Sequence, residues 1–513
     1  MSKRVENQVE DGSRRRKVGA VVSYLYTIAS IVVSLVYVPL LLGGIGQEEF
    51  GLYQLVGSVM SYIVSINSIL ASGVSRYYCM YISEGNFGLA ENTLAISKRL
   101  YWVLSAVSMA AVFVLIFVVR IVYQSAFTAL QLDECSAMLV VLGVNTVVTM
   151  NNTINIAAIT ANERFVFLKG SQLITLVVQP VLIIALTRVM PNALMVTLVI
   201  LAMNVLCAAV QRVYAQGFLK VSYAFHGWDG RLVRGLIGFS GSIVLVVAAD
   251  QIFWKADQLI IGYLSGAAMV AVYAIGSQIY TAYRQVGSAV SSVFFPRVSE
   301  LYHGEHDLEK ISELYARVGR ITFLVCGIIL GAFIVLGPDF ISLWAGDAYA
   351  EAYWVAALVM ISLTVDLAQT LSNTIMQVAD KYLFRGVMLL ALAVINLGTT
   401  VLLVKLIGIA GAALSTAVCM LVGCFLINWY LDARIGLDVH LFWREVGSLL
   451  PTFLILTVAF GFAYWFLPIA HANWMTFIVG GALYLALFFS AFWRFCLNDY
   501  EKSLVKGLMR KAH

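Results

Sequence analysis

Apolar residues in this chain fall in long, nearly unbroken blocks rather than in alternating or short-period patterns. The blocks predict helices over 18–43, 52–74, 99–123, 135–160, 164–188, 193–219, 236–262, 267–296, 317–337, 351–378, 383–405, 408–431, 446–467 and 474–495. Each is near the ~20 residues that a hydrocarbon layer demands of a helix. Glycine and proline punctuate them at Gly43-Gly44, Pro191, Gly337-Pro338 and Pro468. The pattern therefore predicts an all-α polytopic membrane protein of about fourteen transmembrane helices.

Basic residues lie in alternate connections. One set holds Arg76, Lys98 and Arg99; Arg164 and Lys169; Lys220, Arg231 and Arg234; Arg297, Lys310 and Arg317; Lys381 and Arg385; Arg434 and Arg444. The opposite set has only Arg120, Arg188 and Lys405, at helix ends. Cytoplasmic loops are the ones enriched in Lys and Arg, so both termini are expected in the cytoplasm.

The blocks also repeat. Phe50-Gly51-Leu52-Tyr53 opens a helix that ends at Ser75-Arg76-Tyr77, and Val270-Ala271-Val272-Tyr273 opens one that ends at Phe295-Pro296-Arg297. Ala161-Asn162-Glu163-Arg164-Phe165 matches Ala379-Asp380-Lys381-Tyr382-Leu383 after the fourth helix of each half. The predicted organisation is a basic N-terminus (1–17), a six-helix N-lobe (18–219), a cytoplasmic linker (220–235), a six-helix C-lobe (236–431), two added helices (446–495) and a cytoplasmic C-terminus (496–513). Six helices return the chain to its starting side, so a pseudo-two-fold axis along the membrane normal is expected to relate the lobes.

Composition agrees. Of 513 residues, 61% are hydrophobic and 12% charged, with mean hydropathy +0.89, far from a soluble domain. The net charge of +5 is scattered among short loops, which argues against a nucleic-acid partner. Ser13-Arg14-Arg15-Arg16-Lys17 precedes an apolar run too long for a signal peptide and reads as a basic anchor. Cys79, Cys135, Cys207, Cys326, Cys419, Cys424 and Cys496 show no metal-ligand spacing and read as small apolar residues. His303, Glu305, His306 and Asp307 read as a solvated charge run.

Three strings carry a resemblance: Asp257-Gln258-Leu259-Ile260-Ile261-Gly262, Val272-Tyr273-Ala274 and Phe295-Pro296-Arg297-Val298-Ser299. With the Gly51-Leu52-Tyr53 helix, they resemble bacterial O-antigen-type polysaccharide flippases. That family belongs to the multidrug/oligosaccharidyl-lipid/polysaccharide exporter superfamily. The resemblance implies two six-helix lobes around a central cavity that opens alternately to either side. The implied cargo is a polyprenyl-diphosphate-linked oligosaccharide, moved from the cytoplasmic to the outer leaflet of the bacterial inner membrane. The lipid-linked glycan, membrane lipids and other glycan-assembly membrane proteins are the implied partners.

Charges near mid-bilayer are costly and therefore candidates for function. They are Asp250, Lys255 and Asp257 in segment 236–262, Arg284 in 267–296 and Asp366 in 351–378. Counting residues from the outer helix ends puts Asp250 roughly 18 Å, Asp366 about 22 Å and Arg284 about 25 Å deep. Asp250, Trp254 and Asp257 share one helical face, and Gln251, Lys255 and Gln258 the adjoining one. Together they make a polar arc that only a water-filled cavity or the protein interior could accept, and Gln251 and Gln258 are candidates for a cavity lining. Asn145, Thr149, Asn152 and Asn155 form an arc on the fourth helix; they either line a cavity or bond helices together. Arg284 and Lys255 are candidates for capturing a diphosphate head group, with Asp250, Asp257 and Asp366 as counter-ions or coupling carboxylates. Arg284 paired structurally with Asp250 or Asp366 is the competing reading. No phosphate-binding Gly-rich loop is present, so Na+ or H+ is the candidate coupling ion, beside the membrane potential. No other cofactor is expected.

The alternatives are a cation-coupled multidrug extruder, which the absence of a carboxylate in the first helix disfavours, and a flippase for lipid-linked peptidoglycan precursor. A glycan polymerase or ligase is disfavoured by short outer loops at 124–134 and 338–350. A transporter rather than an enzyme is expected. In a background without native cysteines, single cysteines at Asp133 and Asp347 should react with an impermeant thiol reagent in intact cells. Those at Gly230 and Glu305 should react only after permeabilisation, and the reverse pattern contradicts the orientation.

Overall fold

The computed structural model describes residues 2–238, 241–291, 294–305, 307–466, 473–498 and 501–502. Within them the chain is helical: α1 (Ser2–Ile45), α2 (Gln47–Ser83), α3 (Phe87–Tyr123), α4 (Ala129–Ala161), α5 (Phe165–Thr187), α6 (Ala193–Val213), α7 (Gly230–Gly238) and α8 (Gly241–Ser291). There follow α9 (Phe295–Glu300), α10 (Leu308–Trp344), α11 (Ala352–Ala368), α12 (Leu371–Val378), α13 (Tyr382–Ile407), α14 (Ile409–Tyr430), α15 (Val439–Gly447), α16 (Leu450–Phe466) and α17 (Trp474–Phe495). Helices satisfy their own backbone groups, which an apolar medium requires.

Among the described residues, 12 helices are long and apolar enough to span a membrane, or 13 when α11 and α12, bent by 44°, count as one span. The difference from the fourteen expected lies in α8, which runs through the two segments predicted at 236–262 and 267–296. Gly266 interrupts it with φ 82° and ψ 176°, a backbone state outside any helix, so the element has two arms. Two predicted breaks are corrected. Gly337-Pro338 does not end a helix, because α10 carries Pro338 inside it and continues to Trp344. The first break falls at Gly46 (φ 83°, ψ 173°) rather than at Gly43-Gly44. Pro468, His306 and residues 503–513 lie outside the described residues.

The internal repeat is written in the backbone. Gly46 and Gly266, 220 positions apart, share one conformation and each precedes a long helix. Glu163 (φ 56°) and Asp380 (φ 55°) are both left-handed. Around them the same capping bonds recur: Glu163 N to Thr160 O and Arg164 N to Ile159 O, Asp380 N to Gln377 O and Lys381 N to Met376 O. One turn on, Phe167 stacks on Tyr214 at 3.6 Å between centroids, and Phe384 on Tyr430 at 3.8 Å. A π turn follows each, at Tyr214–Phe218 and Leu431–Ile435. Two unrelated stretches would not share cap, stack and π turn at one offset.

The chain divides into two compact units, Met1–Ala271 and Val272–His513. The first holds the opening arm of α8 as well as α1–α7. In it, Tyr123 of α3 donates to Leu259 O (2.9 Å) and Gln47 of α2 to Ala268 O (3.1 Å). In the second, Arg320 of α10 ties down the two added helices. Its Nε donates to Glu501 Oε1 (2.9 Å), Nη1 to Glu445 O (2.9 Å) and Nη2 to Cys496 O (2.8 Å). Its side chain is 7% exposed, so this charge is held by its partners rather than by water.

Gly51 marks the closest approach in the first unit. A Cβ there would overlap the carbonyl oxygen of Ala267, whereas one at Gly57, farther along α2, would meet nothing. Gly51→Ala should therefore destabilise by about 3 kcal/mol, at the upper end for overpacking. Gly57→Ala should be neutral or stabilising by up to ~1 kcal/mol. Thermal unfolding in detergent reads both, and equal midpoints contradict the close approach.

Candidate functional site

Four helices of the first unit each carry a polar stripe at helical spacing. They are Tyr26, Ser30, Ser34 and Tyr37 on α1; Thr149 and Asn152 on α4; Lys169, Gln172, Thr175 and Gln179 on α5; Asn204, Cys207 and Gln211 on α6. The stripes face one another across a cavity of about 690 Å³. Lys169 is the only charged side chain on its described wall. Its Nζ donates to Gln172 Oε1 (3.2 Å) and lies 4.8 Å from the centre of the Tyr26 ring, an arrangement that holds a cation partly out of water. The Tyr37 hydroxyl is buried with no hydrogen-bond partner among the described residues.

One network braces the wall. Tyr223 OH donates to Asn155 Oδ1 (2.8 Å), Asn155 Nδ2 to Asn152 Oδ1 (3.0 Å), Asn152 Nδ2 to Gln211 Oε1 (2.7 Å) and Gln211 Nε2 to Ser171 Oγ (3.0 Å). Higher on the same helices, Asn204 Nδ2 donates to Asn145 Oδ1 (2.8 Å). The polar residues of α4 thus divide. Thr149 and Asn152 line the cavity, while Asn145 and Asn155 join α4 to α6 and to the chain after α6.

The polar arc on the opening arm of α8 is partly closed. Gln258 is 3% exposed and accepts from the Ser58 hydroxyl of α2. Asp257 is 2% exposed, within electrostatic reach of Tyr62 on α2. Asp250, Gln251 and Lys255 are half-buried. Asp257 and Gln258 therefore belong to the α2–α8 contact of the first unit.

The second unit has its own charge cluster. Asp366 on α11 interacts electrostatically with Arg385 on α13 most strongly and with Arg284 on α8 next. The Cys424 thiol of α14 is 4.0 Å from Asp366 Oδ1. Arg385 Nε and Nη1 are buried without hydrogen-bond partners among the described residues. Beside the cluster, Tyr283 shares a 2.6 Å hydrogen bond with Thr364. Arg284 lies within electrostatic reach of Asp366, but Arg385 is the stronger influence on that carboxylate. Lys255 and Asp250 belong to the first unit, and Arg284 to the second.

Along the sequence, the cations Lys169 and Arg385 read as loop charges. They sit inside the helices that follow the two left-handed caps. Their signal was periodicity: Lys169, Gln172, Thr175 and Gln179 repeat at steps of three, three and four.

The model of a family described as "Polysaccharide biosynthesis protein" matches residues 45–354, well over half of the chain. The chain belongs to that family. No curated protein sequence matches it. This family member is similar in structure to the lipid II flippase MurJ in an inward closed conformation, at 12% identity, TM-score 0.71, over 93% of this chain and 99% of that one. It is also similar to an inward-facing multidrug resistance MATE family transporter of the MOP superfamily (15% identity, TM-score 0.62, 81% and 98% covered). A third likeness is to a MOP superfamily transporter from Pyrococcus furiosus (15% identity, TM-score 0.53, 82% and 94% covered). At these identities the likeness is one of fold: a two-lobed, multi-pass membrane protein with the architecture of flippases and exporters of this superfamily.

The cavity predicts a reactivity contrast. Cys207 lines it and Cys326 is fully buried in the second unit. A small permeant thiol reagent should modify Cys207 and spare Cys326. Gln211→Leu should cost about 1–2 kcal/mol by thermal unfolding, because it strands Asn152 and Ser171. An unreactive Cys207 or an unchanged midpoint contradicts the wet, braced wall.

Proposed function

We propose that this polysaccharide biosynthesis family member moves a polyprenyl-diphosphate-linked oligosaccharide from the cytoplasmic to the outer leaflet by alternating access. The observation that carries the reading is the cavity: hydroxyls, amides and, among the described residues, one cation, Lys169, gathered inside a bundle whose outside is apolar. Sugar hydroxyls need donors and acceptors of this kind, and an anionic head group needs cations on its path, since an unpaired ion in an apolar phase costs tens of kcal/mol by Born estimate. The family match and the likeness to a lipid II flippase support this reading. In it the protein sits in the bacterial inner membrane, with both termini cytoplasmic on the argument from Lys and Arg placement.

In this proposal Arg284 takes part in holding the diphosphate, and Asp366 offsets its charge in the empty carrier. Arriving phosphate oxygens take over bonds that the carboxylate made, which gives the cargo the differential affinity for one state that a ligand-driven change requires. Lys255 and Lys169 add positive charge along the route. Asp250, Asp257 and Asp366 are the carboxylates through which H+ or Na+ would couple. An inside-negative potential also favours outward movement of an anion, by about 2.3 kcal/mol per charge per 100 mV.

In a cell that displays a glycan through this transporter, Arg284→Ala and Lys169→Ala should each remove most of the display at normal protein level. Arg284→Lys should recover part, because a point charge lacks the guanidinium fork. Export restored in Arg284→Ala/Asp366→Ala would reduce Arg284 to a structural ion pair.

A further inference from the structure

The chain between α6 and α8 is strapped to one end of the first unit. Asn92 of α3 donates to Gly227 O (3.1 Å) and accepts from His226 N (3.0 Å). The Arg99 guanidinium lies 3.3 Å from the Phe225 ring centre and 6.0 Å from that of Trp228. Asp229 Oδ1 then caps α7, accepting from Arg231 N (2.8 Å) and Leu232 N (3.2 Å). Leu232 and Leu236 sink into the core formed by α2, α3 and α4.

That anchoring turns the other face of α7 outward. Arg231 and Arg234, one turn apart, are exposed there, and neither has an ion-pair partner among the described residues. With Tyr77, Trp228 and Asp229 they line a cavity of about 980 Å³. Gly235 lets the Tyr77 ring close its floor, since a Cβ there would overlap the Tyr77 hydroxyl. Trp228 is 62% exposed at the rim. Asp229 Oδ1 is taken by the cap, and the two exposed guanidiniums outnumber its single carboxylate charge in meeting an anion.

We propose that this cavity is a docking site for the diphosphate head group of a membrane-embedded isoprenoid lipid, outside the interior cavity and reached before it. The proposal rests on the flippase reading above. Residues three apart on a helix stand about 5–6 Å apart, so two guanidinium forks there suit two linked phosphates better than one. An indole at the rim suits the boundary between head groups and acyl chains, where tryptophan collects. Charged donors fixed by a strapped helix need little ordering when the ligand arrives.

The test uses the full chain in nanodiscs of neutral phosphatidylcholine, titrated with farnesyl diphosphate. Arg231→Ala/Arg234→Ala should weaken binding about tenfold or more, with the thermal midpoint unchanged. Arg231→Lys/Arg234→Lys should fall between, because charge remains without the fork. Lys169→Ala and Arg284→Ala should keep this binding even where they abolish export. Phosphatidylglycerol added to the nanodisc should leave wild-type affinity nearly unchanged. Unaltered binding in the double alanine variant overturns the site. Binding lost only in the Lys169 or Arg284 variants overturns it too and leaves the interior reading standing. Competition by phosphatidylglycerol as strong as by the probe would reassign the cavity to bulk anionic lipid.

Discussion

Lipid cannot solvate a polar side chain, and the arrangement of this molecule follows from that constraint. Twelve or more apolar helices leave their polar residues only two refuges, the bundle interior and the membrane surface. Stripes on α1, α4, α5 and α6 use the first and together enclose a polar cavity. The strap after α6 instead leaves Trp228, Arg231 and Arg234 exposed at one end of the first unit. Where polar groups meet inside, they bond one another: Gln211 alone links α4, α5 and α6. A chain of such bonds fixes the wall while leaving the face of Thr149, Gln172 and Gln179 for a ligand.

The repeat explains why comparable features occur twice. Each half has an extended glycine before its second or eighth predicted helix, a left-handed cap after its fourth, an aromatic stack and a π turn. Each half also has a cation soon after that cap, Lys169 in one and Arg385 in the other. Their surroundings differ. Lys169 faces amides and an aromatic ring, whereas Arg385 faces Asp366, with Arg284 close by. One scaffold thus carries two chemically distinct interiors, a hydroxyl- and amide-lined one and a charge-paired one.

Much of this was legible along the chain. Block length revealed the helices, and the offset near 220 revealed the repeat. Mid-block charges drew attention to Asp366 and Arg284, which do interact electrostatically. What escaped was face. Lys169 and Arg385 lie close enough to helix starts to pass for loop charges, and only the stripe that continues from Lys169 to Gln179 shows its side. Gln258 and Asp257 lie on a polar arc that suits a cavity or the protein interior alike; their burial, with the Ser58 hydroxyl of α2 bonded to Gln258, puts them in the interior of the first unit. Gly337-Pro338 looked like a stop, yet a transmembrane helix tolerates proline where neighbouring groups satisfy the freed carbonyl.

The central claim is that this fold moves a lipid-linked glycan through a polar interior. Flipping of a fluorescent polyprenyl-diphosphate-linked oligosaccharide in proteoliposomes, read by an impermeant quencher, tests it most directly. The account predicts protein-dependent flipping that is lost in Lys169→Ala and Arg284→Ala and is faster under an inside-negative potential. Cation-driven extrusion of a lipophilic dye by the same proteoliposomes, without flipping of the glycolipid, would contradict it.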